Sequence, residues 1–351
     1  MDLDLYRYRP EEEAAEYRTL PIKRKERSVH MTHKEKFIKA LKREPITGRV
    51  PHFELVFYLT MESIRKVHPS HRAYYQWNQM SRAEQEIQLD DMADCYVDIA
   101  RKYDHSAIFV HPNPGDFENT VRLLEKIREK SGDEYYIMTH GDPTFPIPDG
   151  DHMVEFSARL FEEEEAVKAE AQQNLEYFIR WAEDMKKHEG LLDGFALCSD
   201  YCFNTNPFYS PAMFEEFVAP YLSKVITAYH DMGYYVIKHT DGNIMPIIDQ
   251  MVDCGPDALH SLDPQGGVDL KEVKKKYGDR VALVGNVNCG LLQTGTDEEC
   301  EADVRRSLRE GMDGFGYIFS TSNCAYTGMP LERYEMMNRI WREEGNYPGE
   351  E

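Results

Sequence analysis

Positive charge is what this 351-residue chain has least of: 41 Lys and Arg stand against 63 Asp and Glu, a net charge of −22. A surface of that sign repels phosphate backbones and anionic lipid, so neither nucleic-acid nor membrane-surface binding is expected. Long uncharged apolar runs are also missing, so no bilayer-spanning helix is expected. The opening stretch, MDLDLYRYRPEEEAAEYRTL, lacks the apolar segment of a secretory signal, which points to the cytoplasm. Cysteine is sparse and odd in number: Cys95, Cys198, Cys202, Cys254, Cys289, Cys300 and Cys324. Thiols scattered in this way form no disulfide framework; they are expected to be reduced, with one or two available to a metal. No GxGxxG follows an early strand, so a dinucleotide-binding open sheet has no local support.

What is present is a repeating pattern. Residues 1–30 are polar, alternate in charge and have no apolar period, and they read as an extension. Thr32 with Glu35 three positions on forms a capping box and opens a helix to about Lys42, ended by Pro45 and Gly48. Eight short runs rich in β-branched and aromatic residues follow: Val50–Val56, Ala107–His111, Tyr135–His140, Gly194–Asp200, Tyr234–His239, Ala258–Asp263, Val281–Asn286 and Gly316–Ser320. Helical segments separate them, among them Ala83–Lys102, Phe117–Lys130, Met153–Glu189, Pro211–Met232, Glu298–Gly311 and Leu331–Trp341. Continuous apolar strands alternating with helices predict a parallel sheet covered by helices, and eight repeats predict an α/β fold of the (β/α)8 TIM-barrel type. The expected single domain covers residues 31–345, with a tail at 346–351.

Each run stops at polar groups: Glu54, His111, His140 with Asp142, Ser199 with Asp200 and Tyr201, His239 with Asp241, His260 with Asp263, Asn286 with Asn288, and Ser320 to Cys324. In a barrel these ends converge on one mouth, where active sites of this fold lie. A strand-end Asp or Asn also caps helices, so each residue taken singly has a structural reading. His239-Thr240-Asp241 puts an imidazole and a carboxylate two positions apart, on one side of a strand. Cys324 would complete a mixed N/O/S set, which suits zinc better than magnesium or calcium. His111, His140 and Glu54 are alternative ligands.

Five ordered segments resemble the uroporphyrinogen decarboxylase superfamily: FYSPAMFEEFVAPYL (Phe208–Leu222), VIKHTDGNIMPIIDQMVDCGPDALH (Val236–His260), VDLKEVKKKYGDRVALVGNVN (Val268–Asn288), LLQTGTDEE (Leu291–Glu299) and GYIFSTSNCAYTGMPLERYEMM (Gly316–Met337). A weaker one is MTHKEKFIKALKREPITGRVPHFE (Met31–Glu54). The resemblance implies a TIM-type barrel and two candidate activities. Decarboxylases of the family carry an RxAGRY motif after the first strand, whose guanidinium groups hold the substrate's carboxylates. Here that stretch is FELVFYLTMESIRK, with no arginine before Arg65. The other branch contains zinc-dependent methyltransferases working with corrinoid proteins, with His-x-Cys at strand five and a Cys after strand eight on the metal. This chain keeps His239 and Cys324 and has Asp241 in place of the first Cys.

The resemblance therefore implies a corrinoid-dependent methyltransferase, such as an O-demethylase component. It would act on a methylated small molecule, with the corrinoid on a separate protein and zinc on His239, Asp241 and Cys324. Glu54, Asp200, Tyr201 and His239 are the expected catalytic residues. Tyr58, His111, His140, Phe203, Asn286 and Tyr326 are the expected substrate contacts. A homodimer is the candidate assembly. A decarboxylase-type lyase and a non-catalytic ligand-binding barrel are the alternatives.

Overall fold

The computed structural model describes residues 31–347. Seven parallel strands run in sequence order around the molecule: β2 (Ala107–Val110), β3 (Tyr136–His140), β4 (Gly194–Leu197), β5 (Tyr235–His239), β6 (Ala258–His260), β7 (Ala282–Val287) and β8 (Tyr317–Thr321). The sheet is a curled one of TIM type, as the alternation of apolar runs and helices predicts.

The first predicted strand, Val50–Val56, is not regular. Only the two-residue β1 (Gly48–Arg49) precedes it, paired antiparallel with β9 (Asn346–Tyr347). Pro51 has no N–H to give a ladder. The segment nevertheless joins both edges of the sheet: the Phe319 N–H donates to Pro51 O (2.8 Å), Phe53 N–H to Phe319 O (3.1 Å), and Ser106 N–H to His52 O (2.6 Å). An open sheet is thereby excluded. Asn346 and Tyr347, the first residues of the expected tail, pair with β1 in a two-stranded sheet apart from the seven-stranded one. Residues 1–30 and 348–351, read as extension and tail end, lie outside the described residues.

The helix His33–Leu41 begins with the expected capping box: Thr32 Oγ1 accepts from Glu35 N–H and the Glu35 carboxylate from Thr32 N–H. Its Phe37 is fully buried against Phe53 and Tyr136, with ring centroids 5.8 and 4.7 Å apart, and covers the barrel floor. Two predicted helices are each split. Met153–Glu189 becomes Met153–Glu162 and Glu164–Lys186, turning at Glu163. Pro211–Met232 becomes Pro211–Phe217 and Ala219–Asp231, broken at Val218. Pro220 cannot donate to the preceding turn and its ring crowds it, which ends the first helix there. Outer packing is aromatic: Phe195 of β4 stacks on Tyr229 at 4.0 Å and meets Tyr234 and Trp181 edge-on.

Candidate active site at the C-terminal mouth

Strand alternation decides which side chains reach the mouth. Lys238 and His239 are adjacent at the end of β5 and point to opposite faces. Lys238 turns outward and is fully buried, with its Nζ 2.8 Å from Asp142 Oδ2 and 2.8 Å from Ser199 O, over the Tyr201 ring at 4.1 Å. Burial would raise the Asp142 carboxyl; the Lys238 ammonium and the Thr144 hydroxyl overcome this and hold it at about 2. The network fixes the loops after β3 and β4 from behind the site.

His239 turns inward and pairs in register with His260 of β6, their Nδ1 atoms 2.8 Å apart. On its other side His239 Nε2 faces two carboxylates, Asp200 Oδ1 at 3.7 Å and Asp241 Oδ1 at 3.9 Å. One ligand atom from each of Asp200, His239 and Asp241 lies within 4.8 Å of the other two. Asp200 Oδ1 accepts from the Asp241 N–H at 3.1 Å, and the Asn323 amide donates to Asp241 Oδ2. Asp241 Oδ1 is buried with no hydrogen-bond partner. Burial and the neighbouring Asp200 raise the Asp241 carboxyl, with His239 opposing. A buried lone carboxylate oxygen among other electron pairs is unfavourable unless a cation completes it.

The loop bearing Asp241 is held close to the loop after β4. Gly242 has φ +80°, and a Cβ there would lie 2.5 Å from Phe203 O. Only glycine combines that backbone conformation with that approach.

His239 and Asp241 of the expected metal set come together, and the third residue whose ligand atom lies with theirs is Asp200, a group that could hold a metal ion. Cys324 stays close: burial raises its thiol, and Cys289, Glu54 and Asp241 push it the same way. Its Sγ is not within the ligand cluster, whereas Asp200, two residues past Cys198, lies level with Asp241 because β4 and β5 are neighbours in register.

Tyr201 is not at the mouth: it is fully buried in the outer network, its hydroxyl 2.6 Å from Thr144 Oγ1. Asn286 is likewise fully buried, its amide donating to Leu262 O at 2.7 Å and accepting from Arg306 at 3.1 Å, so it is held by internal bonds and not presented to the solvent. Glu54 accepts from Thr321 Oγ1 (2.5 Å) and Thr321 N–H (3.2 Å). Burial raises its carboxyl to about 8 against those bonds. It borders a cavity of about 30 Å³, also lined by His68 and His105.

Around the rim, Tyr58 stacks on His71 at 4.7 Å, and the Tyr326 hydroxyl donates to Gln293 at 2.9 Å. Phe203 is 39% exposed, and His140 ends β3 in an exposed position. His111 has a buried Nδ1 with no partner, and burial lowers its imidazole to about 4. His260 was named only as a strand end; its pairing with His239 depends on strand register, which a single sequence does not display.

Residues 195–343 match the family model described as uroporphyrinogen decarboxylase (URO-D). Among curated proteins, the methylcobamide:CoM methyltransferase MtaA of Methanosarcina barkeri is 31% identical over 105 residues, covering 30% of each chain. The uroporphyrinogen decarboxylase of Shewanella pealeana is 26% identical over 130 residues, 34% of each chain. The chain thus spans about a third of the length of the curated relatives it matches. A solved methyltransferase from Methanosarcina mazei shares the fold, with a TM-score of 0.67 at 20% identity over 90% of this chain and 99% of that one. The resemblance read from the five segments is thus matched over residues 195–343, the stretch similar to the uroporphyrinogen decarboxylase (URO-D) model, which supplies β4 to β8 and the Asp200–His239–Asp241 cluster.

Proposed function

We propose that this chain is a metal-assisted methyltransferase that moves a methyl group between a methylated or methoxylated small molecule and a corrinoid held on a separate protein. The observation that carries this reading is the convergence of Asp200, His239 and Asp241 at the strand ends, with the buried Asp241 Oδ1 left without a partner. One imidazole nitrogen and two carboxylate oxygens form a donor set within zinc's chemistry. Zinc bound there would supply Lewis acidity to the methylated heteroatom. The likeness to the Methanosarcina barkeri methyltransferase supports the same reading.

The chain's own residues have definite tasks. The Asp241 N–H holds Asp200, and Asn323 holds Asp241, so both carboxylates stay oriented. Tyr58 and His71 offer stacked flat surfaces at the rim for an apolar or aromatic substrate. Glu54, kept protonated at neutral pH by burial, retains a proton beside strand β8. A decarboxylase reading has less support. Arg72, one of the arginines after the first segment, is committed to Asp91 at 2.7 Å and Val67 O at 2.8 Å, and gives no clamp for a polycarboxylate.

Incubation of the zinc-loaded protein with reduced cobalamin and candidate methyl donors, followed by the cobalamin absorbance change, tests the reading. Methylation that is lost in His239→Ala is expected. Equal rates in both proteins would place the chemistry elsewhere.

A further inference from the structure

We infer that His260 is the positioning residue that sets the tautomer of His239, leaving His239 Nε2 as a bare lone pair aimed between Asp200 and Asp241. The inference rests on the metal reading above for its purpose, and on hydrogen-bond geometry for its content. His260 is 1% exposed, and water therefore does not compete for its ring nitrogens. Its Nε2 faces the Thr321 carbonyl oxygen at 3.4 Å. A carbonyl oxygen only accepts, so Nε2 of His260 carries the hydrogen. A neutral imidazole has one N–H, so His260 Nδ1 is a lone pair. Two Nδ1 atoms 2.8 Å apart need one hydrogen between them, and His239 must supply it.

With its hydrogen on Nδ1, His239 has none on Nε2. The distances agree. Asp200 Oδ1 and Asp241 Oδ1 stand 3.7 and 3.9 Å from Nε2, beyond hydrogen-bond range for an N–H donor. His239 Nε2 and the two carboxylate oxygens thus face one another without a hydrogen bond between any of their side chains, and Asp241 Oδ1 has no partner. The pre-set electron pairs match what a divalent cation takes from an imidazole. The chain of constraint runs from β8 through Thr321 and His260 to His239, and Thr321 is itself fixed by Glu54. Phe53 closes the arrangement with its ring centroid 6.4 Å from that of His260.

Two measurements test the assignment. In metal-free protein labelled with nitrogen-15 histidine, long-range proton–nitrogen correlation spectra report each tautomer. The expected result is unprotonated Nε2 on His239 and protonated Nε2 on His260; a protonated His239 Nε2 would overturn the inference whatever the protein binds. In a zinc titration against a chromophoric chelator, His260→Phe keeps a flat buried ring but offers no acceptor. Its zinc affinity should fall about 10–100-fold, the usual effect of losing an outer partner. His260→Asn, whose amide oxygen can accept, should recover most of it. Wild-type affinity in His260→Phe overturns the positioning role. Zinc binding no tighter in the wild type than in His239→Ala, with both tautomers as assigned, overturns instead the metal reading and the purpose it gives His260.

Discussion

Glu54 sits against strand β8, bonded to Ser320 and Thr321, and its carboxyl is raised to about 8 by burial. Between its ordinary value of 4.5 and about 8, the unfolded chain has lost the Glu54 proton while the native protein keeps it. The native state then binds more protons, so this group's contribution to stability is present below pH 4.5 and is lost as pH rises through about 8. Glu54→Gln removes that loss. Urea denaturation at pH 5, 6.5 and 8 should show the variant gaining on the wild type with rising pH, by up to a few kcal/mol. Parallel curves would contradict the assignment. At this scale the sequence showed the identity of the strand-end groups but not their facing. The buried ammonium of Lys238 requires a partner, and nothing in one sequence names Asp142. Asn286 and Tyr201 were legible as strand-end polar residues; that both are consumed by internal bonds follows from Arg306 and Thr144, far away in the chain.

Among the elements, β5 does two jobs with adjacent side chains, His239 toward the mouth and Lys238 toward the outer layer. The Lys238–Asp142 pair is fully buried on both sides, so removing one partner strands a charge. Lys238→Met should destabilise by about 3–5 kcal/mol, and the double variant Lys238→Met/Asp142→Leu should recover much of that, as read by chemical denaturation. Equal losses in the single and double variants would mean that the pair is not what holds the two loops. Gly242→Ala, with φ +80° and a Cβ 2.5 Å from Phe203 O, should lower stability and zinc affinity together, because it pushes the Asp241 loop off the loop after β4. Apolar runs and caps made seven strands and most helices legible. The first segment was not, because Pro51 and the turn toward Glu54 leave hydrogen bonds without a regular ladder. The helix breaks at Glu163 and Val218 carried only the weak signals of an acidic run and of Pro220.

For the whole molecule, closure is the decisive feature. Residues 51–53 join β8 to the start of β2 and so bring the ends of β4 and β5 level with the loop after β8, where Asn323 meets Asp241. That ring explains why residues 200, 239 and 241 form one cluster and why Cys324 is its neighbour. No helix among the described residues is long and apolar enough to cross a membrane. The missing arginine clamp and the net charge of −22 lead to the expectation that uroporphyrinogen is not decarboxylated; coproporphyrinogen formation in an anaerobic incubation would reverse it.

The most direct test of the account is the metal content of the protein after dialysis against zinc and then against zinc-free buffer, measured by mass spectrometry for the wild type and for His239→Ala, Asp200→Ala and Cys324→Ala. The account predicts one equivalent of zinc in the wild type, loss in His239→Ala, a sharp reduction in Asp200→Ala, and retention in Cys324→Ala. Zinc that survives Asp200→Ala but is lost with Cys324→Ala would contradict it.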